Sequence, residues 1–175
     1  MIRAAMRADA PAIGEMHAQA WAETYPGLVP DGLLAEMTDA SRRRAAWAAN
    51  LAAPRLPGGV LLLEQGGAVL GFVAVCATRD TALGAAGEVA GLYLLRRAQG
   101  QRLGAALLRA GAKVLRDAGF TDAGAWALDA NTRATGFYAA QGAVPGHRQM
   151  GFHGPHPLPE TAWVLRDLSR LAASA

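Results

Sequence analysis

Ahead of Pro54 the apolar residues recur at helical spacing. Ile13, Met16, Ala20 and Trp21 stand three, four and one apart, one face of a helix, with Asp9 as its N-cap and Pro11 tolerated in the first turn. The run Glu23-Thr24-Tyr25-Pro26-Gly27 ends that helix. A second helix is predicted from Asp31 through Leu33, Leu34 and Met37, and a third from Ser41 as N-cap, carrying Trp47 and Leu51. Pro54, Pro57, Gly58 and Gly59 close the helical region. Ile2 to Ala5 fits a short strand in front of it.

Beyond Gly59 the pattern turns β-like. Val60 to Glu64 and Val69 to Ala77 read as two strands joined by a hairpin turn through Gly66-Gly67, where glycine takes positive φ at little cost. Arg79 to Gly87 is a loop of small residues. Val89 to Leu95 reads as a strand that runs through the turn Arg96 to Arg102 into a helix, in which Leu103, Leu107, Ala110 and Val114 stand four, three and four apart. Gly119 suits the position after that helix. Ala125 to Leu128 is a further strand, and Asn131 or Thr132 opens a short helix that stops at Gly142. Ala143 to Met150 and Thr161 to Leu165 fit two last strands, with residues 151–160, rich in proline, glycine and histidine, as a loop.

The strand–turn–helix at 89–114 is the first candidate site. A helix start leaves backbone N–H groups unpaired at the positive end of the helix dipole. Gly100 and Gly104 let a ligand approach the backbone closely, and Arg96, Arg97 and Arg102 add charge. The pattern fits a pyrophosphate site; it equally fits an ordinary turn with solvated arginines. It has neither the Gly-Lys-Ser/Thr ending of a P-loop nor the three-glycine dinucleotide fingerprint.

Composition narrows the function classes. A length of 175 residues is enough for one domain with a core, expected to span residues 1–175. A net charge of +3, from 17 Lys+Arg against 14 Asp+Glu, is too small a surplus to argue for nucleic acid, and no basic run is long enough. The lone cysteine, Cys76, sits in an apolar run as a small core residue and suits a reducing cytoplasm. No targeting segment or membrane span is expected. His153 and His156 lack a wider ligand cluster, so a loop role is expected for them and no metal; His17, beside the first helix's apolar face, is expected to be a partly buried, satisfied histidine.

Two motifs in order resemble the GNAT superfamily of acetyl-CoA-dependent N-acetyltransferases. Gln99-Gly100-Gln101-Arg102-Leu103-Gly104 is similar to its pyrophosphate loop, Gln/Arg-x-x-Gly-x-Gly/Ala. Asn131, Ala134, Phe137, Tyr138 and Gly142 match its C-terminal signature Asn-x-x-Ala-x-x-Phe-Tyr with a glycine four residues on. Arg102 stands where the superfamily has its first loop glycine, and a helical φ, which needs no glycine, is expected there. Ala143 replaces a usual aromatic.

The resemblance implies an α/β (α+β) fold: a mixed, mostly antiparallel sheet of about seven strands, the fourth and fifth splayed, flanked by about four helices. It implies acetyl-CoA as co-substrate and transfer of its acetyl group to a primary amine of a small molecule or peptide by direct attack. Backbone groups of Leu92, Tyr93, Leu94 and Leu95 would pair with the pantetheine arm. The N–H groups of Gln99, Gly100, Gln101, Arg102, Leu103, Gly104 and Ala105 would hold the pyrophosphate. Asn131, Ala134, Phe137 and Tyr138 would complete the cofactor site. Tyr138 is the candidate acid and Glu88 the candidate base. Trp21 and Tyr25 are the candidate acceptor-binding residues. A non-catalytic acetyl-CoA-binding sensor or interaction module on the same fold is the alternative. Apolar strand edges near the C-terminus fit a homodimer.

Overall fold

The computed structural model describes residues 1–173, so the last two residues of the expected domain lie outside the described ones. Strand β1 (Ile2–Ala4) is followed by helices α1 (Ala10–Thr24), α2 (Asp31–Thr38) and α3 (Ala40–Ala52). Then come β2 (Val60–Gln65), β3 (Ala68–Ala77), β4 (Gly87–Leu94), α4 (Leu103–Asp117), β5 (Ala123–Leu128) and α5 (Thr132–Ala140). The hairpin β6 (Val144–His153) and β7 (His156–Leu165) and the short helix α6 (Leu168–Ala173) complete it.

The seven strands form one sheet in the order β1-β2-β3-β4-β5-β7-β6. Every neighbouring pair is antiparallel except β4 and β5, which are parallel. The expected loop 151–160 is instead the tip of the β6–β7 hairpin, with His153 opposite His156. Pro157 and Pro159, which argue against a strand in sequence, are tolerated because β5 ends at Leu128, opposite Glu160. Beyond that point β7 has a free side toward which a proline nitrogen can face without breaking a ladder.

Alternation sorts the side chains onto two faces. Val73 and Val75 of β3 face α4, where an added Cβ on Gly111 would lie 3.2 and 3.0 Å from them. Phe72 and Tyr93, cross-strand partners, point the other way, toward α1 and α3; the Phe72 ring lies 5.1 Å from His17 and 4.7 Å from Trp47. Leu107, Leu108 and Leu115 of α4 are fully buried under the first face. Ile13, Met16 and Ala20 of α1 cover the second. The fold therefore has two helical layers with the sheet between them, and any ligand that reaches both has to pass through the sheet.

Candidate active site

Such a passage exists. The parallel pairing of β4 and β5 covers only Gly87↔Ala123 and Glu88↔Gly124, after which the strands diverge. Hydrogen bonding along β4 alternates between its two sides. Leu95 N–H donates to Leu70 O at 2.9 Å, so the same parity spends the backbone groups of Tyr93 on β3. Those of Leu92 and Leu94 then face the gap. Leu95, expected among the ligand-pairing residues, is buried and outside the gap for this reason. The gap opens into a cleft of about 890 Å³ that runs between both faces of the sheet.

At one end of the cleft stands the start of α4. Its first intrahelical bond runs from Ala106 N–H to Arg102 O at 3.1 Å, and no side chain caps the N–H groups of residues 103–105. Gly100 has φ 77° with open space where a Cβ would be, and an added Cβ at Gly104 would meet the Phe137 ring at 3.3 Å. Arg102 takes φ 61°, left-handed rather than the expected helical value, so this arginine does the conformational work of a glycine. Gln99 Nε2 donates to Leu94 O at 3.0 Å, and its Oε1 accepts from the Arg133 guanidinium. Arg102 and Arg133 line the cleft; Arg96 does not, because its guanidinium and N–H are both held by Glu23 at the end of α1. The side chain of Gln101 turns back to Arg97 O at 2.9 Å, and neither Gln101 nor Leu103 lines the cleft, whereas Gly100, Gly104 and Ala105 do.

The middle of the cleft holds all three tyrosines of the chain, Tyr25, Tyr93 and Tyr138. Asn131 caps α5 by accepting from Ala134 N–H at 3.1 Å, and its Nδ2 reaches Tyr25 Oη at 3.4 Å, leaving one amide N–H for a ligand. Burial pushes the Tyr138 hydroxyl far above the usual phenol range, and the nearby Tyr25 hydroxyl adds to it. Burial also raises Tyr93 and Tyr25. The Trp21 and Tyr25 rings lie 4.1 Å apart on the α1 side. Behind them His17 is wedged between two indoles, with Trp21 Nε1 3.1 Å from its Nε2 and Trp47 Nε1 3.1 Å from its Nδ1. Burial, aided by the Arg43 charge, lowers its pKa to about 3. A neutral imidazole has one acceptor nitrogen, so only one indole donates to it.

At the far end, on the face that carries Tyr93, stands Glu88. It is 3% exposed, and Arg79 binds it through its backbone N–H at 2.9 Å and through a two-pronged guanidinium. Glu160 of β7, which no sequence signal marks, lines the same cleft, with Trp126 and His153.

Residues 16–143 match the acetyltransferase (GNAT) family. The chain belongs to that family. It is therefore an acyltransferase that draws on acetyl-CoA. The chain is 29% identical over 135 residues to the uncharacterized N-acetyltransferase YuaI of Bacillus subtilis, covering 74% of this chain and 72% of that protein. The fold is similar to that of the putative acetyltransferase YncA of Salmonella typhimurium, solved with its cofactor acetyl-CoA, at TM-score 0.69, 22% identity and coverage of 95% and 92%. It is also similar to a GCN5-related N-acetyltransferase of Rhodopseudomonas palustris, at TM-score 0.75, 19% identity and coverage of 95% and 94%.

The GNAT chain brings both motifs to one cleft. Open N–H groups at α4, space over Gly100 and two cleft-lining arginines fit a pyrophosphate. The outward backbone edge of Leu92 and the N–H of Leu94, whose carbonyl Gln99 already holds, fit an extended amide-bearing arm, which could add to β4 as a further strand does. Ala134, Phe137 and Tyr138 line the same stretch. Arg133 was legible only in retrospect, since nothing in the signature marks the residue two after Asn131. Among the described residues no three His, Cys, Asp or Glu side chains group to hold a metal ion, and no helix is long and apolar enough to cross a membrane.

Proposed function

We propose that this single-domain enzyme moves the acetyl group of acetyl-CoA onto a primary amine of a small molecule or peptide, by direct attack of the amine and in the cytoplasm. Acetyl-CoA supplies an activated thioester. Within the Gln99 to Ala105 loop, the cleft-lining Gly100, Arg102, Gly104 and Ala105 bind its pyrophosphate, with Arg102 and Arg133 adding charge, and the edge of Leu92, the N–H of Leu94 and the free amide N–H of Asn131 orient the arm. A free N–H of β4 polarises the acetyl carbonyl. Tyr138 holds a proton for the departing sulfur: burial keeps its hydroxyl in the neutral, hydrogen-bonding form, and it donates a hydrogen bond that strengthens as negative charge develops on the sulfur. Glu88 takes the proton that the amine must lose, directly or through one water, and Arg79 fixes the carboxylate in place. Trp21 and Tyr25 shape the acceptor pocket.

The observation that carries this reading is the place of Tyr138, buried where β4 and β5 part, between the open N-terminus of α4 and the face carrying Glu88. Tyr138→Phe removes the proton and little volume. Turnover is expected to fall by about a hundredfold or more, with acetyl-CoA affinity by calorimetry within a factor of about three. Unimpaired turnover would remove the acid role.

A further inference from the structure

Two carboxylates stand on the acceptor face of the cleft, and their surroundings differ. Glu88 is matched by Arg79. Glu160 is 6% exposed, and its contacts are the neutral amide of Gln149 at 3.0 Å and His153 Nε2 at 3.4 Å. No arginine or lysine pairs with it among the described residues. Asp80, which also takes a hydrogen bond from Gln149 at 3.4 Å, adds negative charge nearby. The one ionisable partner of Glu160 among the described residues is His153, which is charged only when protonated. Burying a carboxylate without a permanent cationic partner is costly, so a fold that keeps one on the wall of a cleft gains when a cation arrives there.

The hairpin is shaped around this carboxylate. A Cβ on Gly151 would overlap the Glu160 carboxyl group, so Gly151 makes the room it occupies. Alternation places Glu160 on the face of Trp126 and Leu128, its cross-strand partner, and away from α4 and α5. It is also separate from Glu88. The two stand opposite Leu128 and Gly124 of β5, four residues apart, or about 13 Å of strand.

We infer that Glu160 is a specificity-determining residue that binds a second cationic group of the acceptor, so that the preferred acceptor carries two cationic groups joined by an apolar stem, as in a diamine or a basic amino acid. This deepens the acetyltransferase reading and rests on it. Glu88 serves the amine that reacts, Glu160 the cation that stays charged, and Trp126 and Leu128 flank the stem.

The test uses α,ω-diamines of increasing length and alkylamines of the same carbon number, with steady-state turnover and with calorimetric binding to the CoA-saturated protein. Wild type is expected to prefer a diamine in kcat/KM by about tenfold or more. Glu160→Gln should collapse that preference to near unity, chiefly through KM for the diamine, with acetyl-CoA affinity retained. Gly151→Ala keeps the charge but displaces it, and should also collapse the preference; a diffuse electrostatic role for Glu160 would survive that change. No diamine preference in wild type overturns the inference. So does an equal loss on both amine series in Glu160→Gln, which would put Glu160 at the reacting amine. Diamine binding that depends on Glu160 without acetylation of any amine would instead uphold the cation site and overturn transfer to small amines.

Discussion

Arg102 is the only described residue other than glycine with positive φ. A left-handed L-residue is disfavoured by about 1–2 kcal/mol relative to glycine, and part of that cost is offset because glycine loses more chain entropy on folding. Arg102→Gly is therefore expected to raise stability by up to about 1 kcal/mol, read as a higher midpoint in thermal or denaturant unfolding. The same change removes a guanidinium from the cleft and should weaken acetyl-CoA. Stability and ligand affinity moving in opposite directions would show that the arginine is kept for its charge. The sequence identified the position as unusual; it did not reveal the backbone angle, because φ there is set by how the loop must enter α4 after Gly100.

Elements were legible where one periodicity ran without interruption. The pattern around Leu103, Leu107, Ala110 and Val114 located α4, and Asn131 located the start of α5, whose cap it forms. The Gly66-Gly67 turn was also readable, both residues having positive φ. The start of α3 was less so: Asp39, not Ser41, caps it, accepting from Ser41 N–H at 2.8 Å and Arg42 N–H at 3.1 Å. Two acceptor-type side chains close together leave the choice to the incoming backbone. The β6–β7 hairpin was hidden because its prolines and glycines carry turn chemistry, and Glu160 was hidden with it. Helix contact was likewise unreadable. Gly14 lets α1 and α3 cross closely; an added Cβ would lie 2.5 Å from Arg44 N and 2.6 Å from its Cα. Backbone cannot yield as a side-chain tip can. Gly14→Val should destabilise by about 2 kcal/mol or more, measured by denaturant unfolding, and should shift the Trp21 and Tyr25 end of the cleft as α1 moves.

At the scale of the whole molecule, the same burial that keeps Tyr138 protonated links the cleft to stability. All three tyrosines have folded pKa values raised above the unfolded value near 10. Above about pH 10 the unfolded chain gives up phenolic protons that the native state retains, so stability is full below that pH and declines as pH rises toward the folded values. In an alkaline titration, tyrosinate absorbance should therefore appear together with loss of native circular dichroism, in one step. Stepwise ionisation in a still-folded protein would mean that the tyrosines are solvated. The aromatic residues have a second consequence. With two of the four tryptophans, Trp21 and Trp126, and every tyrosine on the cleft wall, a share of the protein's ultraviolet emission originates in the cleft itself. The molecule carries its own dye, and acceptor or CoA occupancy can be followed by light from unlabelled, unmodified chain.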